Sequence, residues 1–161
     1  MTVTPDTLAS DTLAEARARG LRITTAESCT GGMVSAALTD VAGSSDVFER
    51  GFVTYTNTAK TEMLGVREAT LAAVGAVSEE VAREMACGAL VNSDAHLAVS
   101  VTGIAGPGGS EFKPEGRVCF GIATRAGCRT ETVEFGALGR DKVRLAARDH
   151  ALTLLLTAAC A

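Results

Sequence analysis

The chain has no tryptophan, one tyrosine and only 4% aromatic residues. A surface for single-stranded nucleic acid needs rings on which bases stack, so that class is disfavoured. The formal net charge of −4 provides no basic face for a duplex either. No nucleic-acid partner is expected. There are only two histidines, His96 and His150, and neither has ligand-like neighbours. The five cysteines are odd in number and include no C-x-x-C pair. Neither a zinc site nor a disulfide framework follows from such spacing. No unbroken apolar stretch is long enough to span a bilayer, and no charged-then-apolar leader opens the chain. A cytoplasmic protein with no membrane partner is the expectation. What is present is aliphatic: hydrophobic residues make up 47% of 161 residues. That is enough for one compact domain with a small-residue core, and no repeat or linker divides residues 1–161.

Periodicity places the elements. Residues 6–18 set Leu8, Leu13 and Ala16 among polar positions before Gly20, which reads as an amphipathic helix stopped by glycine. LRITTAE (21–27) reads as a β-branched strand, SCTGG (28–32) as a tight turn, and MVSAALTDV (33–41) as a helix. Residues 46–56 read as a second strand and 57–64 as a short helix. Ser78 caps a helix with Glu79 and Glu80 in its first turn and a face of Val81, Met85 and Ala89. HLAVSVTG (96–103) is a buried strand that breaks into the glycine-rich stretch GIAGPGGSEFKPEG. Residues 117–125 and 129–136 read as a hairpin joined by a tight Ala-Gly connection. Asp141 to Thr157 forms a long helix with Val143, Ala147, Ala151, Leu154 and Leu155 on one side. Helices that alternate with strands predict an α/β fold: a three-layer α/β/α sandwich with a mixed sheet in a single domain.

Four segments carry candidate chemistry. In TTAESCTGG (24–32), a strand gives way to a helix within a few residues, which puts Ser28 near a helix N-terminus. Free N–H groups of Thr30, Gly31 and Gly32 there would suit an oxyanion or phosphate. The plainer alternative is a capping serine. Cys29 is a rival nucleophile, and Glu27 either orients a partner or is an ordinary first-turn acid. In GFVTYTNTAK (51–60), Tyr55, Asn57 and Lys60 come from one strand end, with Asn57 and Lys60 at i and i+3. A lysine acts as a base only when neutral. Burial would have to lower its free value of about 10.4 by roughly two to three units. Otherwise Lys60 is a solvated surface residue. Tyr55 assists proton transfer, orients Lys60 or packs at the sheet edge. SVTGIAGPGG (100–109) opens a buried strand into a loop able to wrap a phosphate or ribose, although it is neither a Walker A loop nor a Rossmann fingerprint. Arg140, Arg144 and Arg148 form an i, i+4, i+8 stripe that reaches a phosphate or faces solvent.

Taken together, TTAESCTGG, the Y-x-N-x-x-K segment, TGIAGP with KPEG, and GRDKVRLAARDHAL resemble the C-terminal domain family of the CinA competence/damage-inducible proteins. Within it the chain is most similar to stand-alone bacterial nicotinamide-nucleotide amidases. The resemblance covers nearly the whole chain in order. It leaves no room before the first motif strand for the N-terminal domain of longer CinA proteins. It implies hydrolysis of the carboxamide of nicotinamide mononucleotide to nicotinic acid mononucleotide and ammonia, in pyridine-nucleotide recycling. It also implies a serine nucleophile at Ser28, a lysine partner at Lys60, and Tyr55 beside them. Substrate contacts would fall on Thr30, Gly31, Gly32, Asn57, Thr102, Gly103, Ala105 and Gly106. No cofactor or metal is implied. One departure stands out: GPGGSEFKP is one residue shorter than the family's usual loop, which alters its expected geometry. Two rival readings share these motifs: a binding module without turnover, and a Ser–Lys amidase acting on another amide. The general frequency of symmetric pairs favours a dimer.

Overall fold

The computed structural model describes residues 5–110 and 112–161. Glu111, within the expected glycine-rich loop, and residues 1–4 lie outside the described residues. The elements run α1 (Pro5–Ala18), β1 (Ile23–Glu27), α2 (Met33–Thr39), a 3₁₀ turn (Ser44–Asp46), β2 (Phe48–Val53), α3 (Asn57–Leu64), α4 (Glu68–Val74), α5 (Glu79–Val91), β3 (Leu97–Gly103), β4 (Arg117–Thr124), β5 (Gly127–Glu134) and α6 (Arg140–Cys160). The sheet order is β2-β1-β3-β4-β5. β1 is parallel to both neighbours, and β3, β4 and β5 pair antiparallel in turn. This is the expected α/β/α sandwich with a mixed sheet.

Strand β3 shows how the layers are assigned. Leu97, Val99 and Val101 point to one face and pack in a cluster with Leu13 of α1, Val34 of α2 and Val143, Ala147 and Leu155 of α6. Ala98 points the other way, into a cluster with Met85 and Ala89 of α5 and Leu64 of α3. Period-2 alternation thus serves two apolar layers at once, as a strand covered on both faces requires. The neighbouring β1 is fully buried although it reads ITTAE. Its hydroxyls are satisfied: Thr24 Oγ1 donates to the Arg50 carbonyl at 2.7 Å, and Thr25 Oγ1 lies 2.7 Å from Ser35 Oγ.

Local signals set most boundaries. Thr56 accepts the Ala59 N–H at 3.0 Å and starts α3, and Gly65, at φ +72°, ends it. Ser78 accepts the Val81 N–H and starts α5. Two expectations need correction. The strand expected over 46–56 is shorter, because the 3₁₀ turn takes its start and the α3 cap its end. The hairpin turns at Arg125-Ala126, with Thr124 opposite Gly127, so β5 begins two residues earlier than expected. Helix α4 lies in a segment in which periodicity placed no element, and no side chain caps its start. Among the described residues, no helix is long and apolar enough to cross a membrane.

The layer that carries Lys60 depends on a close approach between helices. A Cβ on Gly88 of α5 would overlap the Leu64 carbonyl at the end of α3. In an exposed helix, Gly→Ala gains about 1 kcal/mol. Here Gly88→Ala is expected to lose about 1–3 kcal/mol instead, because α3 must move away. Urea unfolding measures this, and a variant as stable as the parent would mean that the two helices have slack.

Candidate active site

The site lies at the carboxyl ends of the three parallel strands, where the connection from β1 leads to β2 on one side and that from β3 to β4 on the other. Open α/β sheets form a crevice at such a point. Ser28 follows β1 directly and extends its ladder: its N–H donates to the Val101 carbonyl at 2.9 Å, while Glu27 O accepts the Thr54 N–H at 2.8 Å. Lys60 sits one turn into α3 and points back under the strand ends. It is only 1% exposed. Its Nζ donates to Ser28 Oγ at 3.0 Å and to the carbonyls of Thr54 and Tyr55 at 3.1 Å each. Ser28 Oγ also donates to the Tyr55 carbonyl, at 3.3 Å. The solvated alternative for Lys60 is therefore excluded.

The turn after Ser28 differs from expectation. Helix α2 begins only at Met33, after a turn with Gly31 at φ +57° and Gly32 at φ +107°, conformations suited to glycine. The Gly31 N–H donates to the Ser28 carbonyl at 3.0 Å. The N–H groups of Gly32, Val34 and Ser35, with Ser35 Oγ, all donate to the buried Glu27 carboxylate. Glu27 is therefore the cap of α2, and the N–H groups of Gly31 and Gly32 are not free for a ligand. Among the described residues, the N–H groups of Cys29 and Thr30 have no acceptor in the protein. Burial of Cys29 pushes its thiol up to about 12, with the Glu27 charge adding to the effect. That leaves the rival nucleophile protonated at neutral pH.

A cavity of about 350 Å³ opens over Ser28 and Lys60, a volume suited to a small-molecule ligand. Tyr55, Asn57, Thr102, Gly103, Ala105 and Gly106 line it as expected, whereas Thr30, Gly31 and Gly32 stand outside its wall. The Thr102 hydroxyl is engaged with the Ala76 carbonyl at 2.9 Å. The arginine stripe divides into three roles. Arg140 lines the cavity and donates to the Gly106 carbonyl and the Tyr55 hydroxyl, both at 2.8 Å. Arg144 pins the turn through the Cys29 and Thr30 carbonyls. Arg148 pairs with Asp149. The helical spacing was visible in the sequence, but which arginine reaches the cavity depends on where α6 starts. The Thr54 and Tyr55 carbonyls had no sequence signal, because every residue carries one.

Fold and site together define a three-layer α/β protein with a serine–lysine pair at the ends of parallel strands. The chain belongs to the CinA C-terminal domain family, whose sequence pattern matches residues 5–159. It is 57% identical over 140 residues to the nicotinamide-nucleotide amidohydrolase PncC of Escherichia coli, covering 86% of this chain and 85% of that protein. It also resembles a CinA-like protein of Chlorobium phaeobacteroides, at 58% identity over 74% of this chain but only 30% of the relative. Among solved structures, the competence/damage inducible protein CihA from Agrobacterium tumefaciens superposes with a TM-score of 0.92 at 47% identity, over 98% of both chains.

The cysteines offer a direct check on the site. With its thiol near 12, Cys29 is thiolate in fewer than about one molecule in ten thousand at pH 7.5, and that fraction grows only as pH rises. Iodoacetamide at pH 7.5 should label the exposed Cys87 and Cys160 and leave Cys29 unmodified in a peptide mass map. Rapid labelling of Cys29 with the fold intact would contradict its burial.

Proposed function

We propose that the chain hydrolyses the carboxamide of nicotinamide mononucleotide, releasing ammonia and nicotinic acid mononucleotide, and so serves pyridine-nucleotide recycling. The Lys60 Nζ–Ser28 Oγ contact of 3.0 Å carries the reading. Membership of a family with relatives named amidohydrolases supports the substrate.

The donor count suits both protonation states of Lys60. A neutral amine gives its two N–H bonds to the Thr54 and Tyr55 carbonyls and keeps its lone pair for the Ser28 proton. After that transfer, the ammonium has three oxygens around it. Ser28 Oγ attacks the amide carbon as Lys60 takes its proton. The N–H of Cys29, which lines the cavity, holds the developing oxyanion. Such a donor contributes about 3–4 kcal/mol in a comparable hydrolase. Lys60 then protonates the departing nitrogen, ammonia leaves, and water attacks the acyl-enzyme with Lys60 again as base. Tyr55 acts through its carbonyl on Lys60. Arg140, across the cavity, takes the substrate phosphate. That task does not fall to Arg144, which stands outside the cavity lining.

An ammonia-release assay on the mononucleotide tests this. Ser28→Ala should lose at least about a thousandfold in kcat, and Lys60→Met about 10²–10⁴-fold, with both variants folded. Full activity in Ser28→Ala removes the covalent route. The rate should rise with pH as one group, the base, loses its proton. Tight binding of the mononucleotide by the unmodified protein without ammonia release would favour a binding module. Release from other amides alone would move the substrate and leave the chemistry in place.

A further inference from the structure

The glycine-rich wall of the cavity is braced from behind by a carboxylate that the reaction does not use. Glu115 is half-buried in the segment that returns from the loop to β4. Its Oε1 accepts the Gly108 N–H at 2.6 Å, and its Oε2 accepts the Gly139 N–H at 3.0 Å. Gly108 lines the cavity, and Gly139 immediately precedes Arg140 at the start of α6. One side chain thus ties together two segments that lie 7 and 24 residues from it in sequence. Gly106 completes the arrangement. A Cβ there would meet the Glu115 carboxyl at 2.5 Å, so only glycine lets the carboxylate lie against the loop.

The contacts close a ring. Arg140 Nη1 donates to the Gly106 carbonyl, two residues before Gly108, and Nη2 donates to the Tyr55 hydroxyl. Starting at Glu115, the ring runs through the loop to Arg140 and back through Gly139. Apart from the backbone of α6, the Arg140 guanidinium is held by the Gly106 carbonyl of the loop and by the hydroxyl of the exposed Tyr55. Bonds from N–H groups to a carboxylate are stronger than neutral ones, and a negative charge beside the start of α6 is favourable. Glu115 also takes the Gly108 N–H, so that donor is not available to a bound anion. This makes the placement of Arg140 more important.

We propose that Glu115 is a positioning residue, which holds the glycine loop and Arg140 at the spacing that receives the anionic end of the substrate. The proposal rests on the reading above for its kinetic consequence only. Glu115→Gln keeps the volume but has one acceptor oxygen, so one of the two N–H bonds is lost. For the folded variant, KM for the mononucleotide should rise about 5–20-fold with kcat within about twofold, the pattern of lost binding rather than lost chemistry. The chain has no tryptophan and Tyr55 is its only tyrosine, so its emission reports the surroundings of that one ring, the Arg140 contact among them. The emission of Glu115→Gln should shift towards that of Arg140→Ala. In the unsubstituted protein, amide exchange at Gly108 and Gly139 should be slowed at least about tenfold against a free peptide. Unchanged KM and emission in a folded variant, or unprotected amides at both glycines, would overturn the proposal. If the parent protein releases no ammonia from the mononucleotide, the functional reading fails, while emission and exchange still decide the role of Glu115. If Glu115→Gln does not fold, the exchange measurement on the parent protein decides.

Discussion

Burial of the Lys60 amine is the constraint around which the site is arranged. A lysine removed from water must find oxygens placed by the backbone, since an unsatisfied amine there would cost several kcal/mol. The Thr54 and Tyr55 carbonyls come from the end of β2, and the Ser28 hydroxyl from the end of β1. The amine itself is delivered by the helix that follows β2. The register of β1 on β2, with Glu27 opposite Val53, therefore sets the serine–lysine distance. A slip of one residue would turn the side chains to the other face and break the pair. The serine–lysine contact is a consequence of strand register and of one short helix.

Helix α2 and helix α6 both start beside the cavity, and in each case a carboxylate of the chain itself occupies the start. Glu27 takes the N–H groups of Gly32, Val34 and Ser35, and Glu115 takes that of Gly139. A helix start is a ready anion site; at α2 three N–H groups are already taken, and at α6 that of the cap residue. Arg140 stands in the cavity wall, and the turn after Ser28 is held by its own cap. The same economy appears in β1, where buried threonines are tolerated because each hydroxyl has an oxygen partner.

Much of this was legible in the chain. The helix at 57–64 was expected with its observed bounds, because Thr56 and Gly65 mark its ends chemically. The buried faces of α5 and β3 followed from periodicity, which depends only on local geometry. The errors share one cause. The hairpin turn, the free N–H groups after Ser28 and the sorting of the three arginines each depend on what a group meets from elsewhere in the chain. Gly31 and Gly32 looked like donors to a ligand because nothing local indicates that the side chain of Glu27 turns back onto the helix start. Cys29 looked like a rival to Ser28 until the depth of its burial was known.

Sequence alone determined the layered α/β architecture, the positions of the nucleophile-type serine and the candidate lysine, and the family, because capping, alternation and motif order are written in neighbouring residues. Only the tertiary structure decided that Lys60 is buried and within reach of Ser28, that carbonyls complete its coordination, and that Arg140 rather than Arg144 faces the cavity. Those facts depend on distances between segments far apart in the chain, which strand register and helix packing set and no local pattern encodes.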